Sequence, residues 1–477
     1  MKAPFSPFLT AQADGLRRLI GLLKQDHDFV SVLATDSLGF AVRISQKAKN
    51  VSSETMTTER GYVVRVCREG RYSEAAFNRF DPEAPEETAA MIRRELDRQF
   101  RVLGRFGRFA PYITPVMPDH GTGLMSEMET GRLPEEEDMG ALIEKLDAVS
   151  ASGAARDGVV DCIVSAQCTH ISKMYLTDKT DMRQSYVYAE GSVLVVASNG
   201  GRTEMAHEGV SGRCGPELFD DMKPVLDKAL KSVSELLSAQ RVEPGEYDII
   251  TLPDVTGLIA HEAFGHGVEM DMFVKDRALG ADYIGRRVGS DLVTMHEGAL
   301  CAVDVTSYAF DDEGTPAGDV TEIENGILKT GICDALSALR LGVSPTGNGK
   351  RQNYAHKVYT RMTNTLFDSG ESTLDEMIAS VEHGYLLSGI SSGMEDPKHW
   401  GIQCIVEKGY EIRDGRLTGR VVAPVVMTGY VPDLLGSVSM VSRDREVFGT
   451  GGCGKGHKEW VKVADGGPCL KARAMLG

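Results

Sequence analysis

The sequence has no long apolar run. No stretch of its 477 residues approaches the ~18 apolar residues that a membrane-spanning helix needs. Residues 1–25 also lack the continuous apolar core of a signal peptide, and Leu16, Leu19, Ile20 and Leu23 instead have the spacing of an amphipathic helix. We therefore expect a cytoplasmic protein.

The sequence also lacks paired cysteine motifs and an excess of positive charge. Its nine cysteines are scattered without a C-x-x-C pair, and their odd number argues against a disulfide framework. The net charge of −17 argues against nucleic-acid binding, which needs a concentrated basic face. Neither nucleic acid nor a membrane is therefore an expected partner.

The length of the chain predicts two or three domains, and the sequence indicates one boundary between them. A chain of 477 residues exceeds what one small core organises, and Pro244-Gly245 follows a long helical segment as a boundary. We expect an N-terminal mixed α/β domain at 1–243 and a C-terminal domain at 244–477. In the first half, residues 28–35 and 39–45 are predicted to be paired strands joined by a turn at 36–39.

The second half contains many short strand-like segments separated by glycine-rich turns. Asn325-Gly326 and Asp414-Gly415 are dipeptides typical of tight hairpins. A predicted strand at 247–252 leads into a helix that carries two histidines. We expect an α+β chain whose C-terminal domain has a large antiparallel sheet around this metal-binding helix.

The segment from His261 to His266, His-Glu-Ala-Phe-Gly-His, has the residue types of a zinc peptidase site. Two imidazoles can hold the ion, and Glu262 can take a proton from water. The usual motif is one residue shorter. On a regular helix five residues turn through about 500°, which would leave the rings roughly 140° apart. A π-type turn would bring them together, and Gly265 and Gly267 relax the backbone there.

Two histidines leave a catalytic ion one protein ligand short. Cys453 stands out because it lies in a glycine-rich loop, where Lys455 would favour its deprotonation. The other candidates in the second half are several carboxylates and His296, His356, His383, His399 and His457. The residues alone leave open that Cys453 is a buried thiol or part of a phosphate-type loop, and that His261 and His266 are ordinary helix histidines.

Six stretches of the second half form a longer pattern: IAHEAFGHGVEMD (259–271), AFDDEGTPAGD (309–319), IENGILKTG (323–331), SPTGNGKRQNYAHK (344–357), RMTNTLF (361–367) and GGCGKGH (451–457). In these motifs and their order the sequence resembles the TldD family of metallopeptidases, the catalytic members of the TldD/PmbA group. The first half resembles the family more loosely, mainly in its GFAVRI and GYVVRV segments.

The resemblance implies a zinc-dependent metallopeptidase with His261, His266 and Cys453 as ligands and Glu262 as general base. It implies unfolded or extended peptides as substrates. It also implies a dimer, with itself or with a related non-catalytic subunit, whose active site faces an internal channel. The domain at 1–243 would then serve dimerisation and substrate access. The alternative is a non-catalytic peptide-binding subunit of a TldD/PmbA-type complex, although such a subunit needs no general base.

Two departures from the family pattern bear on the site. The cysteine loop is one residue shorter than usual and ends in His457 where glutamine is common. His457 is therefore a fourth ligand, a hydrogen-bond donor behind the ligands, or a surface residue. Residues 391–396 stand where several glycines are usual, and specificity would differ if this strand borders the substrate.

In the expected mechanism Glu262 accepts a proton from the water that attacks a peptide carbonyl. The oxyanion that forms needs another donor. His356, Arg361 and Asn364 are candidates for oxyanion or substrate-backbone contacts, with turn or strand-capping roles as the alternative for each. A strand edge could bind an extended peptide through its backbone, which predicts broad sequence tolerance and poor action on folded proteins.

Overall fold

The structure is a computed structural model that describes residues 1–55, 57–105, 113–456 and 459–477. We call residues 1–243 the N-terminal half and residues 244–477 the C-terminal half. The helices of the N-terminal half are α1 (Pro7–Lys24), α2 (Pro85–Arg105), α3 (Met139–Ala154) and α4 (Lys223–Ser238). Its strands are β1 (Phe29–Ile44), β2 (Lys49–Ser52), β3 (Arg60–Arg68), β4 (Arg71–Phe77), β5 (Gly123–Glu127), β6 (Val159–Leu176), β7 (Asp181–Asn199) and β8 (Arg202–Gly212).

The strands of the N-terminal half form one sheet in the order β4-β3-β1-β6-β7-β5, with β2 beside β1 and β8 beside β7. The sheet packs against two helical layers. Leu9, Leu16 and Ile20 of α1 pack with Val32 of β1 and Ile92 of α2 in one core. Helices α3 and α4 cover the long strands β6 and β7 in another.

Residues 28–45 differ from the sequence-based expectation. β1 is one continuous strand that pairs with β3 on one side and β6 on the other, so the predicted turn at 36–39 is wrong. Gly39 is predicted from the sequence to be a turn residue, but in the structure it allows β1 and β6 to pack closely. A Cβ atom at Gly39 would lie 2.2 Å from the carbonyl oxygen of Cys168 on β6, so a larger residue would separate the two strands.

The C-terminal half has shorter elements. Its helices are α5 (Pro253–Leu258), α6 (Met270–Phe273), α7 (Ala335–Leu341), α8 (Leu374–Ala379) and α9 (Val431–Gly436). Its strands are β9 (Gly245–Thr251), β10 (Met295–Glu297), β11 (Val320–Glu324), β12 (Ile327–Leu328), β13 (Gly349–Lys350), β14 (Tyr359–Thr360), β15 (Asn364–Phe367), β16 (His383–Asp396), β17 (Gly401–Arg413), β18 (Arg416–Val422), β19 (Val425–Tyr430), β20 (Met440–Phe448), β21 (Gly452–Lys455), β22 (Glu459–Lys462) and β23 (Ala464–Leu476).

Both predicted hairpin turns of this half are confirmed. Asn325-Gly326 connects β11 to β12 with φ of 48° and 78°, and Asp414-Gly415 connects β17 to β18 with φ of 47° and 71°. Two successive positive φ values are the signature of a type I′ turn, which matches the right-handed twist of the flanking strands.

Strands β9, β16, β17, β19 and β23 form a closed ring, because β23 pairs with both β19 and β9. Helix α5 enters this ring with Pro253 in its first turn, and Val255, Leu258, Ile259 and Phe264 of the helical segment belong to the ring's core. Most pairings are antiparallel, and β16–β9 and β15–β23 are parallel. The predicted α+β class, with a large sheet around the helix that carries the histidines, is confirmed.

Ion pairs join the two halves at buried positions. The pairs are Lys173–Asp312, Arg65–Glu313, Glu74–Arg351 and Glu190–Lys462. Lys462 belongs to the hairpin of β21 and β22, which also carries Cys453, so the N-terminal sheet contacts this hairpin directly. The division into domains at residues 243 and 244 stays a prediction. In the part of the chain that the structure describes, no helix is long and apolar enough to cross a membrane.

Candidate metal centre

The two histidines lie on a π-helical turn. Residues Ile259–Gly265 continue α5 as a π-helix, in which the His266 N–H donates to the carbonyl oxygen of His261. This i→i+5 bond brings residues five apart onto one side of the helix, and the two imidazole centroids are 5.1 Å apart. The predicted π-type turn is therefore confirmed. Gly265 leaves room for the side chain of Met362, since a Cβ atom there would lie 2.2 Å from Sδ of Met362.

Cys453, which is near the C-terminal end of the chain, lies next to the two histidines. One donor atom each of His261, His266 and Cys453 lies within 4.8 Å of the others, and Cys453 Sγ is 3.4 Å from His266 Nε2. Burial raises the pKa of the Cys453 thiol, but His261 and His266 outweigh it and hold the pKa well below its ordinary value. Two imidazoles and a thiolate are donors that suit zinc and similar transition metals.

A carboxylate orients His266 from behind. Glu269 Oε2 lies 3.0 Å from His266 Nδ1, which leaves Nε2 directed towards Cys453. The same Glu269 oxygen is 3.0 Å from Lys455 Nζ, and Lys455 also pairs with Asp271 at 2.7 Å. Such a carboxylate behind a ligand histidine fixes the ring and raises its basicity as a ligand.

A second carboxylate stands behind His261. His261 Nδ1 is buried without a hydrogen-bond partner among the described residues, and Asp465 Oδ2 on β23 is 3.8 Å away. Burial raises the pKa of Asp465 to about 6, even though His261 acts in the opposite direction. A small tightening of this contact would give His261 the same support that Glu269 gives His266.

Glu262 shares a cavity of about 1090 Å³ with the three donor residues. Its side chain lies against β16, where a Cβ atom at Gly393 would be 2.3 Å from Glu262 Cγ. Residues Ser391 to Glu395 of β16 line the cavity on this side. From Ser388 to Asp396, β16 pairs with one strand, β17, as far as the described chain goes, so its other edge has no strand partner there, although the N–H of Gly389 donates to Asp254 Oδ2.

The three residues predicted to contact substrate are not among the described residues that line this cavity. Arg361 is buried and donates to the carbonyl oxygens of Cys453 at 2.5 Å and Glu459 at 3.1 Å, so it holds the cysteine hairpin.

Asn364 is also buried, accepts from Thr306 Oγ1 at 2.6 Å and donates to the carbonyl of Gly298. His356 Nδ1 lies 2.7 Å from Asn353 Oδ1 in a turn. Their substrate roles stay predictions, as does the role of His457, which lies outside the described residues.

Sequence reasoning missed Glu269 and Asp465. Glu269 could have been found, because it follows His266 by three residues, a spacing that brings side chains together at a helical turn, although Glu269 itself has an extended backbone just after that turn. Asp465 had no such signal, since the chain runs through most of the C-terminal half between it and His261. Lys455 was noted for its effect on Cys453, yet its ion pairs are with Glu269 and Asp271.

Residues 244–469 match the model of the PmbA/TldA metallopeptidase C-terminal domain. The chain is 32% identical to the TldD metalloprotease homologue of Haemophilus influenzae, over 69% of this chain and 70% of that protein. It is 31% identical to the zinc metalloprotease TldD homologue of Saccharolobus solfataricus, over 60% and 63% of the two chains. Its fold is similar to that of TldE from Thermococcus kodakarensis, with a TM-score of 0.74 and 17% identity over 97% and 100% of the chains.

Proposed function

This chain belongs to the PmbA/TldD metallopeptidase family, and on that premise we propose that it is a zinc-dependent enzyme that hydrolyses peptide bonds of unfolded or extended peptides. As a member of the family it is a hydrolase with a metal cofactor. We assign zinc as the metal, His261, His266 and Cys453 as its ligands, and Glu262 as the general base.

This assignment rests on one observation: three donor atoms come together in one cavity, which is also lined by a carboxylate residue that lies between the two histidines in the sequence. The donor atoms of His261, His266 and Cys453 lie within 4.8 Å of one another, and Glu262 lines the same cavity. Three protein ligands and an open position are the arrangement of catalytic zinc sites. The name of the Saccharolobus solfataricus relative also supports zinc.

The chemistry of the site follows from these side chains. A bound zinc ion supplies a Lewis acid, which makes water easier to deprotonate and polarises a carbonyl. Glu262 takes the proton of the attacking water and later delivers it to the leaving amine. Glu269 holds His266 through Nδ1, and Arg361 holds the Cys453 backbone through its carbonyl oxygen, so these two ligands are positioned before substrate arrives.

The edge of β16 is the proposed binding surface for the peptide backbone. Residues 391–395 line the cavity, and β17 is their strand partner on one side only within the described chain. An extended peptide could add to this edge through main-chain hydrogen bonds, which are independent of side-chain identity. A folded protein cannot present a free strand in this way, so we expect unfolded substrates to be cleaved faster.

The assembly is proposed as a dimer, either with a second copy or with a related non-catalytic subunit of the TldE type. The structural likeness to TldE supports a partner of this fold. Residues 1–243 would serve the dimer contact and access of substrate to the cavity. We also propose the cytoplasm as the location.

The test is cleavage of an unstructured peptide, followed by mass spectrometry, with zinc-loaded wild type and the Glu262→Gln variant. We expect cleavage by wild type and a loss of at least about 100-fold in the variant, because a general base contributes about 10²–10⁴-fold. Glu382→Gln, at an exposed acid just before β16, is the matched control and should cleave as wild type does. Equal cleavage by wild type and Glu262→Gln would contradict the assignment of the base.

A further inference from the structure

Trp460 exposes a large apolar side chain in the cavity of the metal centre. It lies on β22 and 46% of it is exposed, whereas Trp400, the other tryptophan of the chain, is fully buried. The other three residues of β22, Glu459, Val461 and Lys462, are buried. An indole ring has a large apolar surface to bury, so its exposure inside a cavity indicates a place where a ligand completes the burial.

The ring of Trp460 lies along the backbone that carries the proposed ligand Cys453. A Cβ atom at Gly452 would be 3.7 Å from Trp460 Cε3, and one at Gly454 would be 3.6 Å from Cζ2 and Cη2. The ring therefore spans the two glycines on either side of Cys453. Side chains alternate between the two faces of a strand, and Cys453 packs with Val461 on the other face of this hairpin. The exposed ring is thus one strand away from the sulfur.

The cavity exposes further apolar side chains. Met394 of β16 is 65% exposed, Met272 of α6 is partly exposed, and both line the cavity together with Trp460. Single apolar residues scattered over a surface need no explanation, but apolar surface collected in one cavity marks a binding site. Methionine side chains are flexible and adapt to apolar groups of different shape. The cavity therefore suits an apolar group that can vary in shape.

The proposed peptide-binding edge of β16 borders the same cavity. An extended peptide presents its side chains alternately on two sides and advances by about 3.3 Å per residue. A peptide backbone on this edge brings several side chains into the cavity, within a few residues of the scissile bond. A cationic side chain can also stack on an indole ring, but Met272 and Met394 add only apolar surface to the cavity.

We propose that Trp460 is a specificity-determining residue that binds a large apolar side chain of the substrate a few residues from the scissile bond. This assignment rests on the proposed peptidase function, and it names the substrate class: unfolded peptides with a residue such as leucine or phenylalanine at that position. Folded proteins bury most such side chains, so the subsite adds to the preference for unfolded substrates. Backbone binding along β16 tolerates many sequences, and Trp460 selects the register.

Binding is measured without turnover in the zinc-loaded Glu262→Gln variant. Three unstructured peptides without tryptophan or tyrosine differ only in one central residue, which is leucine, serine or lysine. Fluorescence anisotropy of the labelled peptides gives their affinities, and the series is repeated after adding Trp460→Ala. Acrylamide quenching of the unlabelled complexes reports whether the peptide covers Trp460, because Trp400 is buried and shielded from the quencher.

We expect the leucine peptide to bind at least about tenfold more tightly than the serine peptide, and to protect Trp460 from acrylamide. Trp460→Ala abolishes the preference, whereas its affinities for the serine peptide and for zinc stay at the wild-type level. Those two affinities separate a substrate contact from support of the cysteine hairpin. Leu417→Ala, at an exposed apolar residue of β18 that is not among the described residues lining the cavity, is the control and keeps the preference.

Equal affinity for the leucine and serine peptides, tighter binding of lysine than of leucine, or a leucine preference that survives Trp460→Ala would overturn the assignment. So would a loss of zinc affinity in Trp460→Ala, which would assign the ring to support of the hairpin, or shielding of Trp460 before peptide is added, which would show that another chain covers it. The peptide comparison with Trp460 intact does not depend on how the variant folds. Cleavage by wild type reports separately on the proposed function.

Discussion

At the scale of single residues, the proposed metal ligands and the carboxylates behind them differ in how readily they can be identified from the sequence. His261, Glu262 and His266 are recognisable because zinc chemistry needs these side chains within one short segment. Cys453 was one candidate among several until the family motifs singled it out. Asp465 could not be found, because its closeness to His261 depends on the path of β23 through the sheet.

Glu269 gives the sharpest prediction at this scale. Glu269→Gln removes the charge behind His266 while keeping a side chain of the same shape. We expect zinc affinity, measured by competition with a chromophoric chelator, to fall about 10- to 100-fold, which is the usual effect of losing such a partner. Glu324→Gln, at the exposed last residue of β11, is the control. Affinity within twofold of wild type would mean that Glu269 does not support the ligand.

At the scale of elements, the turns whose residues need a positive φ could be predicted from the sequence. A glycine that does not form such a turn led to a wrong prediction. Asn325-Gly326 and Asp414-Gly415 form the expected hairpins. Gly39 resembled a turn residue but allows β1 to approach β6 closely, which depends on a strand more than a hundred residues away. Local sequence cannot distinguish a glycine needed for a turn from one needed for contact between distant strands.

The metal centre depends on the π-turn. Substitution of Gly265 tests whether this turn tolerates a larger residue. A methyl group at Gly265 would meet Sδ of Met362, which is fully buried. We expect Gly265→Ala to lower the free energy of unfolding by about 1–3 kcal/mol, as overpacking usually does, and to weaken zinc binding. Thermal unfolding and chelator competition measure the two effects.

The control is Gly429→Ala, at a strand glycine whose Cβ position is open. The clash predicts that Gly265→Ala costs less stability in a Met362→Ala background than in wild type, which a double-mutant cycle measures. An identical cost in both backgrounds would show that crowding against Met362 is not the reason for glycine at this position.

At the scale of the whole molecule, the α+β class and the sheet-rich C-terminal half were predictable from patterns and motifs, whereas the closed ring was not. Closure requires β23 to pair with both β9 and β19, strands far apart in sequence. The buried ion pairs between the halves were equally hidden, because Glu74 and Arg351 are ordinary charged residues until the fold brings them together.

The pKa of Glu74 predicts how the stabilising effect of the contact between the two halves changes as the pH falls. Burial raises the pKa of Glu74, but Arg65 and Arg351 outweigh it and lower the pKa from 4.5 to about 2. The ionised carboxylate therefore stabilises the folded state fully above about pH 5, and this contribution is lost as the pH falls towards 2. The shift corresponds to at most about 3 kcal/mol.

We expect Glu74→Gln to be less stable than wild type at neutral pH, and the difference in free energy of unfolding to shrink between pH 5 and pH 2. Urea denaturation across this range measures it. Glu95→Gln is the control: hydrogen bonds from Gln99 and Arg98 also lower the pKa of Glu95, but its side chain is exposed to solvent, so the trend should be much smaller there. A difference that stays constant down to pH 2 would contradict an ionised Glu74 between the two arginines.

The central claim is that one metal ion is held by His261, His266 and Cys453. The most direct measurement is the X-ray absorption spectrum of the zinc-loaded protein at the zinc edge. We predict one sulfur scatterer at about 2.3 Å and imidazole nitrogens at about 2.0 Å, with the sulfur lost in Cys453→Ser. A wild-type spectrum with only nitrogen and oxygen neighbours, or a sulfur signal that persists in Cys453→Ser, would contradict the account.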